Sequence, residues 1–506
     1  MEKPGIAACA RIVRRGRVRR RLFILCGLCV LLIAPARAAA TWTYASSTHF
    51  EVFTTAGARS ARETLVQFER IRAFFASHLE LTPPSGRRVR LVLFSNEAEF
   101  RPYRINDAVV AFYRPGPATD YIVMHALGRM SHDVMVHEYV HLILNRSGGR
   151  YPVWVNEGLA EYFATLPSMG DAVQVGRMAR TRMRSLASGR LLGLDQLFAV
   201  THESPEYQTA EHGGLFYAQS WALTHMLLAD ERYRDGATRF IALMREGTPS
   251  AQAVETVWAR PLEQVQDDLR DYVRSGYFAV RLIRFEEPSE DAPVVTREVS
   301  SFEAEFVLAN LLAAAREDAD KARTAFEGLA AQRPDDVALL ESRAALEFRT
   351  GRARAGRPFL ERAIELNTTT ASTYRDLAAL VVAEDAARAE ALLERALAID
   401  PLDVRTRVHL ATLFSRRDPV EVIVMLAAVG RVSSGEAFDV FRLRANAYLA
   451  VNDLTRAREA AHELTQVARS RQQQAVAARV VASIERRTRN NSPNAIQEPP
   501  ATEVGP

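Results

Sequence analysis

Two histidines and one glutamate in residues 131–145 have the types and spacing of a metal-binding, acid–base site. The segment reads SHDVMVHEYVHLILN, and its apolar periodicity predicts a helix that carries His137, Glu138 and His141 in an H-E-x-x-H pattern. Residues four apart share one helix face, with Cβ atoms about 5–6 Å apart, so both imidazoles can bind one Zn²⁺. The carboxylate of Glu138 can reach a water on that metal. The spacing indicates metal-assisted hydrolysis, and two surface histidines on an ordinary helix are the alternative.

The next segment, residues 152–163, supplies a third candidate ligand. It reads PVWVNEGLAEYF, and its WVNEG string resembles the second motif of gluzincin metallopeptidases, the superfamily that includes thermolysin and aminopeptidase N. In that superfamily a glutamate from a downstream helix is the third zinc ligand, and the resemblance implies this role for Glu157. Glu161, one helical turn further, is the rival ligand. If Glu157 binds the metal, Glu161 either accepts a hydrogen bond from a ligand imidazole or is a solvated helix carboxylate.

A third segment, residues 213–221, reads GGLFYAQSW and begins another apolar helix. In aminopeptidase N-like enzymes a tyrosine in a similar setting donates its hydroxyl to the tetrahedral oxyanion, and the resemblance implies this catalytic role for Tyr217. A core aromatic is the alternative for Tyr217. The chain has no G-x-M-E-N stretch to bind a free amino terminus, so aminopeptidase activity is not supported. The resemblance is strongest to small bacterial peptidase MA-like gluzincin domains, and it covers about residues 42–280.

The elements that must position these residues are a small sheet and a helical body. Residues 48–55 alternate like a half-buried strand, and residues 89–94 (VRLVLF) read as a buried strand. Residues 109–113 and 121–124 flank a Pro-Gly-Pro turn, which predicts a hairpin whose edge strand can hold an extended substrate. Residues 131–277 have helical periodicity. The predicted fold class is therefore α+β, with a small N-terminal β-sheet and a helical, gluzincin-type metallopeptidase domain.

The C-terminal half contains a degenerate helical repeat. Similar helices end near Pro334, Thr368 and Pro401, which lie 34 and 33 residues apart. A period near 34, with small residues at helix contacts and a closing proline, resembles the tetratricopeptide repeat (TPR). The resemblance implies a protein partner on the repeats, and a helical array of another kind is the alternative. An all-α, TPR-like solenoid of four or five units thus completes the predicted fold.

The charge excess of the chain lies at its N-terminus. Of 65 basic and 61 acidic residues, residues 1–40 hold nine and one, respectively. The remainder, with 56 basic and 60 acidic residues, lacks the positive surface of a nucleic-acid binder. An Arg-rich stretch, the apolar run 22–34 and the sequence ARAAA are together typical of a secretory signal peptide. We expect export to a bacterial periplasm. An uncleaved inner-membrane anchor that faces the periplasm is the alternative, although the run is short of the roughly 20 residues that a span needs.

The cysteines lie in one part of the chain, and changes in composition mark its other parts. Cys9, Cys26 and Cys29 all lie in the predicted signal segment, so the predicted mature chain has neither a disulfide nor a thiolate zinc site. The predicted organisation has five parts, which are a signal peptide (1–40), a gluzincin-like zinc metallopeptidase domain (41–280), a linker (281–301), TPR-like helical repeats (302–470) and a polar, partly disordered tail (471–506).

Together these features predict an exported, periplasmic zinc metallopeptidase with one Zn²⁺ held by His137, His141 and Glu157. Glu138 is the expected general base toward a metal-activated water, and Tyr217 is expected to stabilise the oxyanion. The expected partners are a peptide or protein substrate and a protein on the repeats, with no nucleic acid, and with a membrane only if the signal segment stays uncleaved. A catalytically inactive periplasmic TPR scaffold is the alternative of another class. Metal-assisted hydrolysis of a non-peptide substrate also stays open.

Overall fold

The computed structural model describes most of the chain between residues 41 and 491. The described residues are 41–79, 88–106, 109–116, 119–126, 128, 131–149, 151–164, 168–169, 172–177, 180–187, 190–208, 210–285, 294–427, 429 and 435–491. The predicted signal peptide and the last part of the predicted tail, residues 492–506, lie outside them. Within the described ranges, no helix is both long enough and apolar enough to cross a membrane.

The strands in the described residues form two sheets. They are β1 (Trp42–Ser46), β2 (Phe50–Thr54), β3 (Val89–Phe94), β4 (Ala111–Arg114), β5 (Tyr121–His125), β6 (Ser168–Met169), β7 (Ala172–Val175), β8 (Arg281–Arg284) and β9 (Val295–Val299). The larger sheet has the order β4-β5-β3-β2-β1-β9, and the smaller sheet has the order β6-β7-β8. The β2–β3 and β3–β5 pairs are parallel, and the other pairs are antiparallel.

The α-helices fall into a group before β8 and a group after β9. The first group comprises α1 (Gly57–Leu79), α2 (Glu97–Phe100), α3 (Ser131–Arg146), α4 (Val153–Ala164), α5 (Arg180–Leu186), α6 (Leu194–Ala199), α7 (Pro205–Gln208), α8 (Ala210–Ala229), α9 (Ala237–Glu246), α10 (Ser250–Trp258) and α11 (Leu262–Ser275). The second group comprises α12 (Ser301–Ala313), α13 (Ala319–Gln332), α14 (Val337–Arg349), α15 (Ala353–Glu365), α16 (Ala371–Val381), α17 (Ala386–Ile399), α18 (Val404–Phe414), α19 (Pro419–Ala427), α20 (Ala437–Ala450), α21 (Leu454–Val467) and α22 (Arg471–Asn491).

The predicted small sheet and helical body are confirmed. β2 and β3 occupy the two predicted strand segments, and β4 and β5 form the predicted antiparallel hairpin. α1 connects the parallel strands β2 and β3, and it buries Leu65, Phe68 and Phe75 against one face of the sheet. α3 joins the same core through Val136 and Tyr139. The sheet therefore forms a platform on which the H-E-x-x-H helix rests.

The opposite face of the larger sheet is covered by α12. Because side chains alternate along a strand, Phe94, Phe112 and Val123 point away from α1. They form a second apolar core with Val307 and Leu311 of α12. The first helix of the repeat region is thus also a layer of the sheet domain.

The segment predicted as a linker, residues 281–301, contains two strands. β9 pairs with β1, with Val295 opposite Ser46 and Val299 opposite Trp42, and β8 pairs with β7. The linker prediction is wrong at these strands. Their side chains are largely exposed on both faces, so the sequence lacks the apolar alternation that identifies a half-buried strand.

Helices α12 to α21 form a helical repeat region that resembles TPR. They make five consecutive pairs, and each pair packs on the next. α22 follows as a single helix and packs Ala477, Val480 and Ile484 against α20 and α21. Residues 471–491 of the predicted polar tail therefore form a packed helix. These three apolar residues recur every three to four positions and give the Gln- and Arg-rich segment one buried face.

Candidate metal centre

Two packed helices, α3 and α4, carry the predicted ligands. His137 and His141 are four residues apart on α3, so both imidazoles point to the same side, toward α4. α4 is buried along nearly its whole length, and Glu157 on this helix is 3% exposed. The structure thus brings together three residues that the sequence places on separate segments.

The three ligand atoms converge at metal-binding distances. Nε2 of His137 lies 3.0 Å from Nε2 of His141. Oε2 of Glu157 lies 3.5 Å from the first nitrogen and 3.6 Å from the second. Donors at 2.0–2.1 Å from a tetrahedral zinc lie about 3.3 Å apart. The triangle therefore has the size that Zn²⁺ requires.

The surroundings of Glu157 also fit a cation. Its Oε2 is buried and has no hydrogen-bond partner in the part of the chain that the structure describes. Burying an unpaired charged oxygen costs free energy, and a cation at the centre of the triangle would remove that cost. Two imidazole nitrogens and one carboxylate oxygen are a donor set that zinc accepts, with a fourth position left for water. The residues present fit this metal.

The other ring nitrogens of the two histidines face hydrogen-bond acceptors. Nδ1 of His141 lies 2.9 Å from Oδ1 of Asn156, and Nδ1 of His137 lies 3.7 Å from Oε1 of Glu161. The acceptor at His141 holds the imidazole proton on Nδ1 and leaves the lone pair of Nε2 for a metal, whereas Glu161, beyond hydrogen-bond distance, acts on His137 through its charge. Both rings are thus oriented toward the centre of the triangle.

Glu161, the rival ligand, is engaged elsewhere. Nε and Nη2 of Arg182 donate to its two carboxylate oxygens at 3.1 and 2.6 Å. The same guanidinium lies 4.9 Å from the ring centroid of Tyr217. The structure therefore places Glu157 beside both Nε2 atoms and places Glu161 on the far side of His137.

The charges of the site favour a cation. Burial opposes a charged His137, but the nearby carboxylates of Glu157, Glu138 and Glu161 outweigh it and raise the pKa of His137 to about 9. Burial also opposes a charged Glu157, but the charges of His141 and His137 lower the pKa of Glu157 to about 2. A positive charge between these groups is stabilised, whether a proton or a metal ion supplies it.

Glu138, the predicted general base, lies at the edge of the larger sheet. It is buried, and it accepts a hydrogen bond of 2.7 Å from the backbone N–H of Tyr113 on β4. The phenol of Tyr113 donates to Oδ1 of Asn145 at 3.1 Å, which connects β4 to α3 a second time. The edge strand β4 is therefore held directly beside the candidate metal cluster of His137, His141 and Glu157.

The phenol that contacts the cluster belongs to Tyr207 and not to Tyr217. Tyr207 on α7 donates to Oε1 of Glu157 at 3.2 Å, and its ring centroid lies 5.9 Å from that of Tyr217 on α8. Burial and the charge of Glu157 raise the pKa of both phenols, so both stay protonated at neutral pH. Sequence reasoning missed Tyr207 and Arg182, because each reaches the site from a short helix that carries no recognisable motif.

A family model matches residues 131–249, and its description is "Protein of unknown function (DUF1570)". The matched stretch begins at the first residue of α3 and includes the three predicted ligands, Glu138 and both tyrosines. A comparison with curated proteins finds no match.

Three solved structures are similar to parts of this chain. One is titled YrrB, a TPR protein with an unusual peptide-binding site; it is 16% identical, with 35% of this chain and 90% of that chain covered and a TM-score of 0.30. A second, MamA, is 13% identical, with 38% and 96% covered and a TM-score of 0.22. The third, the TPR domain of P58(IPK), is 15% identical, with 62% and 99% covered and a TM-score of 0.18.

Proposed function

We propose that this chain is an exported zinc metallopeptidase of the gluzincin type whose repeats bind a protein. The observation that supports it best is the convergence of two Nε2 atoms, of His137 and His141, with Oε2 of Glu157 at 3.0–3.6 Å. Three protein ligands are typical of catalytic zinc sites, whereas structural zinc sites are closed by a fourth. The proposal of export depends on the signal-like sequence of residues 1–40.

The residues around the cluster have separate chemical tasks. The two histidines and Glu157 would hold the zinc, which would supply Lewis acidity toward a water and a peptide carbonyl. Glu138 takes the proton of the attacking water and passes it to the leaving amine. The N–H of Tyr113 fixes the orientation of the Glu138 carboxylate. We assign the hydrogen bond to the substrate oxyanion to Tyr217, since the phenol of Tyr207 is engaged with Glu157.

β4 offers an edge for an extended peptide. The N–H of Tyr113 is directed at Glu138 and therefore away from β5. Along a strand of an antiparallel pair, the peptide groups of alternate residues point to opposite sides. Those of Ala111 and Tyr113 therefore point outward, and those of Phe112 and Arg114 point toward β5. A substrate strand beside β4 hydrogen-bonds to the outward groups other than the N–H of Tyr113, and it passes in front of Glu138. This geometry favours a polypeptide as the substrate class.

A protein-binding scaffold without turnover is the second candidate function. The helical repeat region favours it, because polar side chains recur at 33-residue intervals on the first helix of each successive pair. These residues are Asn310, Arg343, Asp376, His409 and Arg442. A row of polar groups on stacked repeats suits the recognition of a peptide segment. Only the peptidase hydrolyses a substrate, so a measurement of hydrolysis distinguishes the two functions.

Replacement of Glu138 by Gln tests the proposed function. The change keeps the size of the side chain but removes the proton acceptor, so we expect the variant to bind one equivalent of zinc and to lose at least about 100-fold in hydrolysis rate. The substrate is a mixture of fluorescence-quenched peptides of random sequence. Glu263→Gln, an exposed position on α11, is the matched control and keeps the wild-type rate.

Hydrolysis by Glu138→Gln at the wild-type rate would contradict the assignment of the general base. A wild-type protein that binds one zinc but cleaves none of the peptides would instead support the scaffold. His141→Ala, which removes one ligand, is expected to lose the zinc.

A further inference from the structure

Tyr207 reaches the metal cluster from a distant part of the sequence. It lies on α7, fifty residues after Glu157, and its phenol donates a hydrogen bond of 3.2 Å to Oε1 of that residue. Its ring makes edge-on contacts with the rings of His202 and Phe216, at centroid distances of 5.0 and 6.0 Å. Packing and hydrogen bonding therefore both hold the phenol in place.

The two carboxylate oxygens of Glu157 have different surroundings. Oε2 faces the Nε2 atoms of His137 and His141, and it has no hydrogen-bond partner among the described residues. Oε1 accepts the hydrogen bond from Tyr207. A carboxylate with both oxygens free can bind a metal through one or both of them, whereas an oxygen engaged by a donor is less available to the metal.

We propose that Tyr207 is a positioning residue that makes Glu157 a one-oxygen metal ligand and so keeps one zinc position open for water. This inference rests on the proposed function, because it assumes that the cluster binds zinc. Tyr217 does not share the role, since its ring packs between Tyr207 and the guanidinium of Arg182.

Tyr207→Phe removes the hydroxyl and keeps the ring, so it tests this role directly. We expect zinc affinity, measured by competition with a chromogenic chelator, to fall about 10- to 100-fold. We also expect the visible absorption of the Co²⁺-substituted protein to weaken, because binding through both oxygens of Glu157 raises the coordination number from four to five. Tyr277→Phe, the same chemical change on an exposed ring outside the site, is the matched control and keeps the wild-type zinc affinity and cobalt spectrum.

A Tyr207→Phe protein with wild-type zinc affinity and cobalt spectrum would overturn the inference, and so would equal losses in the two tyrosine variants. His141→Ala separates this failure from that of the proposed function. If His141→Ala loses zinc and Tyr207→Phe does not, only the positioning role is wrong. If His141→Ala binds zinc like the wild type, the metal site itself is wrong. Urea midpoints of both tyrosine variants verify that the fold is kept.

Discussion

His225 on α8 is a fully buried imidazole outside the candidate metal cluster. Its Nδ1 lies 2.6 Å from the hydroxyl of Tyr272 on α11, and its ring centroid lies 4.8 and 5.5 Å from the rings of Trp221 and Tyr162. The titratable groups that face it are the phenols of Tyr162 and Tyr272, which are neutral below about pH 10. Burial therefore dominates and lowers the pKa of His225 to about 4.

Folding stability should fall as the pH decreases from about 6.5 to 4. In the unfolded chain a histidine has a pKa of about 6.5, so within this range the unfolded chain binds a proton that the folded chain excludes. The difference corresponds to roughly 3 kcal/mol. We expect the wild type to lose that amount relative to His225→Gln between pH 7 and pH 4, measured by urea unfolding. Parallel stability curves for the two proteins would contradict this prediction.

Residues of the candidate metal cluster and its surroundings differ in how far the sequence predicts them. The spacing of His137 and His141 is fixed by the geometry of one helix, so their proximity follows from the sequence. Glu157 depends on the packing of two helices, and its prediction depends on a resemblance. Tyr207 and Arg182 reach the site through the tertiary packing of short helices. No local pattern carries that information, because neither residue type nor spacing distinguishes them from other surface-helix residues.

The crossing of α4 and α8 depends on a glycine next to the predicted ligand Glu157. A Cβ atom on Gly158 would overlap the hydroxyl of Thr224 and would lie 2.7 Å from the carbonyl oxygen of Ser220. Because the oxygen of Ser220 belongs to the backbone, a side-chain rotation cannot relieve the contact. The close approach of the two helices therefore requires a residue without a side chain at position 158.

Gly158→Ala should push α8 away from α4. We expect a loss of about 1–3 kcal/mol in the free energy of unfolding, as for other overpacked cores. Gly328→Ala is the matched control, since Gly328 lies on the exposed side of α13 and a Cβ there would have no neighbouring atom within 4 Å; it should gain roughly 0.5–1 kcal/mol. Urea unfolding of both variants measures the difference. Equal stabilities would show that α8 relaxes at no cost.

At the scale of elements, the sequence predicts those whose faces differ in polarity. β2 alternates between apolar and polar residues, and β3 is mostly apolar, because both are central strands covered by α1. The sequence predicts both strands. It does not predict β9, because an edge strand with both faces largely exposed has no apolar side to reveal it. Nor does it predict α22, because the buried face of this helix is narrow within a strongly polar segment.

At the scale of the whole molecule, the sheet domain and the repeats share helix α12 and one apolar core. α12 packs Val307 and Leu311 on the larger sheet and also packs on α13 as the first repeat. Arg114 at the end of β4 is buried; its Nη1 donates to the backbone oxygen of Leu311 at 3.3 Å and lies 3.7 Å from a carboxylate oxygen of Asp318. The edge strand beside the candidate metal cluster is therefore connected to the first repeat. A boundary at residue 280 cuts through this core.

Two truncated chains test this shared structure. A protein of residues 41–280 lacks β8, β9 and α12, so it exposes the edge of β1 and the apolar face formed by Phe94, Phe112 and Val123. We expect it to aggregate and to show no cooperative urea transition. A protein of residues 41–333 keeps these elements and the helix pair α12–α13, so it should unfold cooperatively and bind one equivalent of zinc. Cooperative unfolding and stoichiometric zinc binding by the shorter chain would show that the sheet domain is complete without the first repeat.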